Sequence, residues 1–465
     1  MDSEQNRITR YAQALAHLGI QPGASRVLIV GLGVTGISVA KFLHRNQIDF
    51  AIVDSRTKPP GLSELQQISP DAPIFLGGYA SQAFEAATHL VVSPGVAMTT
   101  PQIMQALDSG IVACSDIDLF DCAVDAPVIG ITGSNGKSTV TSLVGMMAKK
   151  AGISVKVGGN LGPAALDLLD DDSETELYVL ELSSFQLERT SNLKLAAATI
   201  LNISPDHMDR YPSVESYSQA KQRIFNDCIS MIVNVDDEWV VKIPRSGHEL
   251  LTFGISESAV DFRLALVDGK QWLMFRNHQI IESDSLRIKG RHNLANALAA
   301  LALGHSVGLS EASMVAALQV FPGLPHRMQW VDEINGVAWI NDSKATNVGA
   351  CLAALNGLTG KTVLIAGGDG KGADFSGLRT AIGNNVRAVI LIGKDAPLIQ
   401  GLIDKHVTTI NAQYLEQAVR IASEFSKAGD TVLLSPACAS LDQFSDYQHR
   451  GQVFEAAVRG LSRVA

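Results

Sequence analysis

Cysteine is scarce. The 465 residues hold five, Cys114, Cys122, Cys228, Cys351 and Cys438, an odd number and never in Cys-x-x-Cys spacing. That pattern excludes a disulfide framework and a cysteine-built metal centre, and it fits reduced thiols in a cytosol. Long apolar runs are missing too. The longest Ala/Leu-rich stretch, Leu294 to Leu309, is interrupted by Asn296 and His305 and is too short and polar to span a bilayer. Met1 to Arg10 is polar with no apolar segment behind it, so no secretory leader is expected. No run of Lys and Arg marks a nucleic-acid footprint. The net charge of -10 repels phosphates at long range, so an anionic substrate would need local donors.

What is present is an ordinary globular composition, 46% hydrophobic and 18% charged, in a chain long enough for about three domains of typical size. Short apolar runs alternate with helical patterns along its whole length. Val27-Leu-Ile-Val30, Phe50-Ala-Ile-Val53 and Leu90-Val-Val92 belong to a first stretch, with a helix from about Gly36 to Arg45. Val128-Ile-Gly-Ile131, Tyr178 to Leu182, Ala198 to Leu201 and Met231 to Val235 follow in a second, which closes on a helical Asn293 to Leu303. The cluster Pro322-Gly323-Leu324-Pro325 reads as a linker. Beyond it come Thr362 to Ile365, Ala388 to Ile392 and Thr431 to Leu434. Strand-helix alternation at these lengths predicts an α/β chain of three domains, at 1–120, 121–324 and 325–465, each on a mainly parallel, doubly wound sheet.

Two glycine loops stand at strand ends. Gly31-Leu-Gly33-Val-Thr-Gly36 matches G-x-G-x-x-G, with Asp54 on the next strand. By itself it reads as a dinucleotide site. Physically it offers backbone N–H groups and a helix N-terminus to any pyrophosphate, and a ligand-free tight turn has the same pattern. The second loop is Gly130-Ile-Thr-Gly133-Ser134-Asn135-Gly136-Lys137-Ser138-Thr139, a variant of the P-loop with a glycine at 130 where strict spacing wants one at 131. There Lys137 would reach the outer phosphates of a nucleoside triphosphate, and the Ser138 hydroxyl would ligate Mg²⁺. Glu181, at the end of an apolar run, is either the metal carboxylate of such a site or a solvated loop residue. His207, in Asp206-His207-Met-Asp209, reads as a metal ligand, a substrate contact or a surface histidine; on the residues alone the surface reading is preferred. Lys221 in Ser218-Gln-Ala-Lys221 reads as a solvent-facing helix residue.

Taken in order, Gly130 to Thr139, Glu181-Leu-Ser-Ser-Phe185, Asp206 to Asp209, Lys221, Arg291-His-Asn293 and Asn341-Asp342-Ser-Lys344-Ala-Thr346-Asn347 resemble the Mur ligases over nearly the whole chain. Gly367-Gly-Asp-Gly-Lys371 and Leu434-Ser-Pro-Ala-Cys-Ala-Ser440-Leu441-Asp442 are similar to the D-glutamate-adding branch. Folylpolyglutamate synthases share the central loop but not this C-terminal block, and the Asp-Asn-Pro-Arg motif of the diamino-acid-adding branch is absent. The resemblance implies a cytoplasmic, monomeric, ATP-dependent amide ligase of peptidoglycan precursor synthesis. It would join D-glutamate to UDP-N-acetylmuramoyl-L-alanine through an acyl phosphate.

It also implies site roles. The first domain would bind UDP and not NAD, through Val34, Thr35, Asp54, Ser55, Arg56 and Gly95, with Asn160 and His207 contacting the rest of that substrate. Gly133 to Thr139, Asn293, Asn296, Arg327, Asp342 and Lys344 would hold ATP. Thr346, Lys371, Ser440, Leu441 and Tyr447 would hold D-glutamate, with Tyr447 where the family usually has Phe. Two Mg²⁺ ions would sit on Ser138, Glu181, His207 and a carbamylated Lys221, and Lys137, Glu181, His207 and Lys221 would be catalytic. Asn160 and Asn293 equally suit helix capping. Two rival classes are an NAD-dependent oxidoreductase, which leaves Lys137, Glu181 and the third domain without a task, and a nucleotide-binding regulatory protein without chemistry.

Overall fold

The computed structural model describes residues 11–461 apart from 171–173, 192, 257–259, 289, 359 and 404–405; the polar segment Met1 to Arg10 lies outside them. Three sheets follow one another along the chain. The first is built from β1 (Arg26–Val30), β2 (Asp49–Asp54), β3 (Ile74–Leu76), β4 (His89–Val92) and β5 (Val112–Cys114), in the order β3-β2-β1-β4-β5. Every pairing in it is parallel. Strand order reverses beside β1, so the crevice at the carboxyl ends of β1 and β4 receives both Gly31–Gly36 and Ser93–Gly95.

The central sheet holds β6 (Val128–Thr132), β7 (Val155–Gly159), β8 (Leu177–Glu181), β9 (Leu195–Ile200), β10 (Cys228–Asn234), β11 (Glu249–Gly254), β12 (Phe262–Val267), β13 (Lys270–Phe275) and β14 (His278–Glu282). Their order is β14-β13-β12-β11-β10-β9-β6-β8-β7. The strands from β7 to β12 run parallel, and β12, β13 and β14 form an antiparallel ribbon at one edge. The third sheet holds β15 (Gln329–Ile334), β16 (Val337–Asn341), β17 (Thr362–Gly367), β18 (Val386–Ile392), β19 (Thr408–Asn411) and β20 (Thr431–Leu434), in the order β15-β16-β20-β17-β18-β19. Only the β15–β16 pairing is antiparallel.

The helix Asp116–Ala123 carries the chain from the first sheet toward the second, and the boundary expected at residue 120 falls inside it. A capping box between Ser115 and Asp118 starts it. Phe120 packs edge-on against Tyr178 of β8 at 5.4 Å between ring centroids. One buried apolar cluster runs without a break from Ile29 and Phe42 of the first domain to Leu180 and Met231 of the central one. The apolar clusters of the third domain share no member with it. The first two domains are thus fused through burial of apolar surface, whereas the third meets them through polar side chains.

Candidate active site

Parallel strands deliver their following loops to one edge of a sheet, and that is how the central site is gathered. β6 runs into Gly133, β7 into Asn160, β8 ends at Glu181, and β9 leads to Asn202 and Asp206. Gly130, the odd glycine of the motif, is buried in β6, where a Cβ would lie 2.6 Å from Leu195; it serves packing. The loop's own glycines are Gly133 at φ +148° and Gly136 at φ +86°. A Cβ on Gly136 would also stand 2.4 Å from Asn296 Oδ1, so this position admits glycine on two counts.

The turn is clamped from β9. Asn202 accepts from the Asn135 N–H at 2.8 Å and donates to the Asn135 carbonyl at 3.1 Å. The Ser204 N–H donates to Ser134 Oγ at 2.9 Å. Gly136 offers the helix Lys137–Lys150 no side-chain cap, so its first-turn N–H groups face the mouth of the loop. Lys137 curls back over the turn, and its Nζ donates to the Gly133 and Ser134 carbonyls at 2.8 and 3.1 Å. Burial lowers its pKa against the raising pull of Glu181 and Asp206.

Glu181 is buried. Asn160 donates to its Oε1 at 2.7 Å, while its Oε2 is a buried oxygen without a hydrogen-bond partner. Burial pushes this carboxyl up, but Lys137, hydrogen bonding from Asn160 and Ser138, and Arg327 outweigh it and hold it below its ordinary value. Lys221 is not solvent-facing: it is 1% exposed, and its Nζ donates to the Gly133 carbonyl at 3.0 Å and to Thr132 Oγ1 at 3.2 Å. The ring of Tyr217 lies 4.7 Å below that amine. Burial, and then Lys137, drives the Lys221 pKa far down. His207 is partly withdrawn from the surface, its side chain 33% exposed. It is half-buried at φ +58°, a strained conformation for a side-chain-bearing residue, with Phe185 edge-on at 4.9 Å.

The third domain supplies the other wall from the carboxyl ends of β16, β17 and β20. Arg327 donates to Ser138 Oγ at 2.6 Å. Asn347 caps the helix Val348–Gly357 and also donates to Asn135 Oδ1 at 3.2 Å and Asp206 Oδ2 at 3.3 Å. Lys371 Nζ stands 3.5 Å from Asp206 Oδ1. Lys344 lies 3.7 Å over the ring of Tyr447, and burial with Arg327 and Lys137 nearby lowers its pKa to about 8. Asp342 accepts from the Met328 N–H at 3.1 Å and from Ser435 at 2.8 Å, and burial raises it to about 7. An antiparallel bridge joins Asp369 to Ala439, between the Lys371 and Ser440 loops; Ser440 is buried, whereas Leu441 is 72% exposed. Thr346 sits half-buried one residue before the Asn347 cap. Asn293 and Asn296 are linked at 3.3 Å on the helix that flanks Gly136.

In the first domain the fingerprint turn closes tightly at Gly36, where a Cβ would meet the Gly31 carbonyl oxygen at 2.1 Å, while Gly33 is open. Asp54 accepts from the Leu32 N–H at 2.7 Å and from Arg56 Nε and Nη2 at 2.8 and 2.6 Å. Its carboxylate is therefore an internal brace between the loop and β2, and not the free ribose acceptor of a dinucleotide site. Val34, Ser55 and Gly95 are exposed and Thr35 is half-buried around the same crevice.

Residues that reading the sequence missed are Asn202, Ser204 and Tyr217, and the bridging task of Asn347. None carries a spacing signature. For Asn202 and Ser204 the hint was that polar residues closely follow a parallel strand.

Three family models match in tandem: "Mur ligase MurD-like, N-terminal domain" at residues 25–115, "Mur ligase middle domain" at 131–304, and "Mur ligase, glutamate ligase domain" at 326–438. UDP-N-acetylmuramoylalanine--D-glutamate ligase of Methylococcus capsulatus is 53% identical over 94% of this chain and 95% of its own length. The enzyme of the same name from Nitrosococcus oceani is 50% identical over 94% and 97%. Among solved structures, UDP-N-acetylmuramate-alanine ligase MurC from Thermotoga maritima superposes with a TM-score of 0.60 at 18% identity, covering 94% of this chain and 100% of that one. MurF from Acinetobacter baumannii gives 0.61 at 15%, over 97% and 98%. The two structural likenesses speak for the fold alone.

The Asp54 brace has a pH signature. Burial raises this carboxyl, but Arg56 and the N–H groups of Leu32 and Arg56 overcome that and bring it to about 2. A depressed carboxyl stabilises the fold above its unfolded pKa, and that contribution is lost as pH falls through the folded value. Asp54→Asn should therefore melt about 2–4 °C below the parent at pH 7. The gap should narrow on acidification below pH 4, as followed by calorimetry. A gap that is independent of pH would contradict the brace.

Proposed function

The chain belongs to the Mur ligase family, and on that premise we propose how it works as an ATP-dependent amide-forming ligase that joins D-glutamate to UDP-N-acetylmuramoyl-L-alanine in peptidoglycan precursor synthesis. The observation that carries the mechanism is the meeting of Lys137, Glu181 and Ser138 of the central sheet with Arg327 of the third domain at one buried junction. ATP is the co-substrate. Its phosphates lie along the Gly133–Thr139 turn, with Asn293 and Asn296 at the adenine and Lys344 on the third-domain side. Asp342 takes the ribose; each of its oxygens keeps a lone pair beyond the bonds to Met328 and Ser435.

In the first step the L-alanine carboxylate of the UDP substrate attacks the γ-phosphorus, forming the acyl phosphate and releasing ADP. An anion approaches a polyanion, so the task of the protein is neutralisation and alignment. Lys137 leaves its two loop carbonyls to meet the transferring phosphoryl group, and Arg327 meets it from the opposite wall. Asn160 and His207 hold the acyl end, while Val34, Thr35, Asp54, Ser55, Arg56 and Gly95 frame the UDP. In the second step the amine of D-glutamate attacks the acyl carbon and phosphate leaves. Lys371, Ser440 and Thr346 hold the γ-carboxylate, which needs a cation and donors once desolvated. Leu441 and Tyr447 shape the wall. Lys371 exchanges Asp206 for that carboxylate.

The donors suit Mg²⁺. The partnerless Oε2 of Glu181 and the Ser138 hydroxyl are hard oxygen ligands for one ion. His207 and a carbamylated Lys221 would hold a second. Bound there, the ions would draw charge from the phosphate oxygens. Among the described residues no three His, Cys, Asp or Glu side chains cluster; Mg²⁺ held here would take its remaining ligands from phosphate oxygens and water. Free, scattered cysteines suit a cytoplasmic enzyme, which we take to act as a monomer; no helix among the described residues is long and apolar enough to cross a membrane.

Phosphate release tests the reading: it should require ATP, the UDP substrate and D-glutamate together, and NADH should show no saturable binding. Release independent of D-glutamate, or NADH binding displaced by the UDP substrate, would overturn it. Lys221 gives a sharper test. Its buried, uncharged-leaning amine is the form that CO₂ carbamylates, and a carbamate is an anionic oxygen ligand. Lys221→Ala should be folded but slowed by about 10³ or more, as for loss of one transition-state charge partner. Acetate should restore part of the rate by filling the vacated space. An alanine variant with near-parental turnover would refute the role.

A further inference from the structure

We propose that Arg189 is a positioning residue that couples the Ser93–Val96 loop of the first domain to the His207 side of the phosphoryl-transfer centre. The inference rests on the ligase reading above, which gives that loop to the UDP substrate. Arg189 stands just past the short helix Ser184–Leu187, two turns of chain beyond Glu181. Its side chain is 3% exposed although it lies between two domains. Nη1 donates to the Ser93 carbonyl and, at 3.5 Å, to that of Val92; Nη2 donates to the carbonyl of Val96. One guanidinium of the central domain therefore holds both ends of the Ser93-Pro94-Gly95-Val96 turn.

The same group is tied inward. Nη2 lies 3.3 Å from Glu188 Oε1, and Glu188 Oε2 accepts from the Tyr211 hydroxyl at 2.9 Å. The Tyr211 ring stacks on Phe185 at 5.8 Å and 4° between planes, and Phe185 meets the His207 ring edge-on at 4.9 Å. Contact is continuous from the loop through Arg189, Glu188, Tyr211 and Phe185 to His207. The Arg210 guanidinium lies 4.8 Å from the centre of the same Phe185 ring.

Burial depresses the Arg189 pKa, opposed first by Glu188 and more weakly by Asp116. A buried cation is costly, and packing two domains together needs none; apolar side chains would do it. What a guanidinium adds is a planar fork of donors, able to fix the orientation of several peptide carbonyls at once. Fixing that turn relative to His207 fixes the span between the nucleotide end of the UDP substrate and the end that reacts. Buried beneath the loop and bonded to its carbonyls, Arg189 acts through the loop.

The test is steady-state kinetics of the full chain with each substrate varied in turn, on Arg189→Met and Arg189→Lys. Loss of charge-assisted bonds to the loop should raise the KM for the UDP substrate about tenfold in Arg189→Met, with the KM for ATP changed by less than about twofold. Arg189→Lys should recover part of the loss, since an ammonium satisfies fewer of the carbonyls. An equal fall in kcat with all KM values unchanged, a lysine variant no better than methionine, or no effect at all would overturn the proposal. Should Arg189→Met fail to fold, Arg189→Lys and Glu188→Gln decide, because each should raise the same KM and no other. A parent protein that does not turn over the UDP substrate would sink the ligase reading and this inference with it. Turnover with unaltered KM values in folded variants would sink the inference alone.

Discussion

The turn from Gly133 to Gly136 is the constraint on which the site depends. It must bring backbone N–H groups to a polyanion, so no side chain can fill it, and Gly136 meets that demand with positive φ and no room for a Cβ. A glycine-bounded turn holds its shape poorly by itself, and the loop after the neighbouring strand braces it. Asn202 bonds both faces of the Asn135 peptide, and Ser204 pins Ser134. Lys137 and Lys221 both hydrogen-bond the Gly133 carbonyl, at 2.8 and 3.0 Å. Two amines converge on one carbonyl; burial lowers the pKa of both, and Glu181 and Asp206 pull the other way.

The three domains are joined in two physical styles. Burial of apolar side chains welds the first to the second, and the Arg189 clamp adds direction to that weld. The third domain is attached by Arg327 to Ser138, Asn347 to Asn135 and Asp206, and Lys371 to Asp206. Polar contacts of this kind exchange readily with substrate groups, whereas an apolar weld does not. The junction therefore suits a domain that must part to admit ATP and D-glutamate and then close over a hydrolysable acyl phosphate.

Much of this was legible in the sequence because parallel strands in covered sheets are short unbroken apolar runs. The strands read at Val27, Val128, Thr362 and Thr431 all lie where expected, and so do the helices that follow both glycine loops. The ribbon β12–β14 and the hairpin β15–β16 were not legible. Their edge positions leave one face in solvent, which breaks the apolar run, and Trp330 of β15 is 62% exposed. Of the residues proposed for the site, those with motif spacing stand together at the junction. Asp54 has the spacing of a dinucleotide site, but its carboxylate is held by the Leu32 N–H and by Arg56, which spacing does not reveal. Asn202 and Arg189 were invisible because their function lies in contacts distant in sequence.

The central claim is that phosphoryl transfer needs a site completed across the domain junction, with Arg327 as the third-domain cation. The most direct measurement is the yield of acyl phosphate in the absence of D-glutamate, trapped by borohydride reduction at saturating ATP and UDP substrate. The account predicts clear trapping by the parent protein and a yield lower by about tenfold or more in a folded Arg327→Met variant, the size of one lost charge-assisted contact. Equal yields from the two proteins would contradict it.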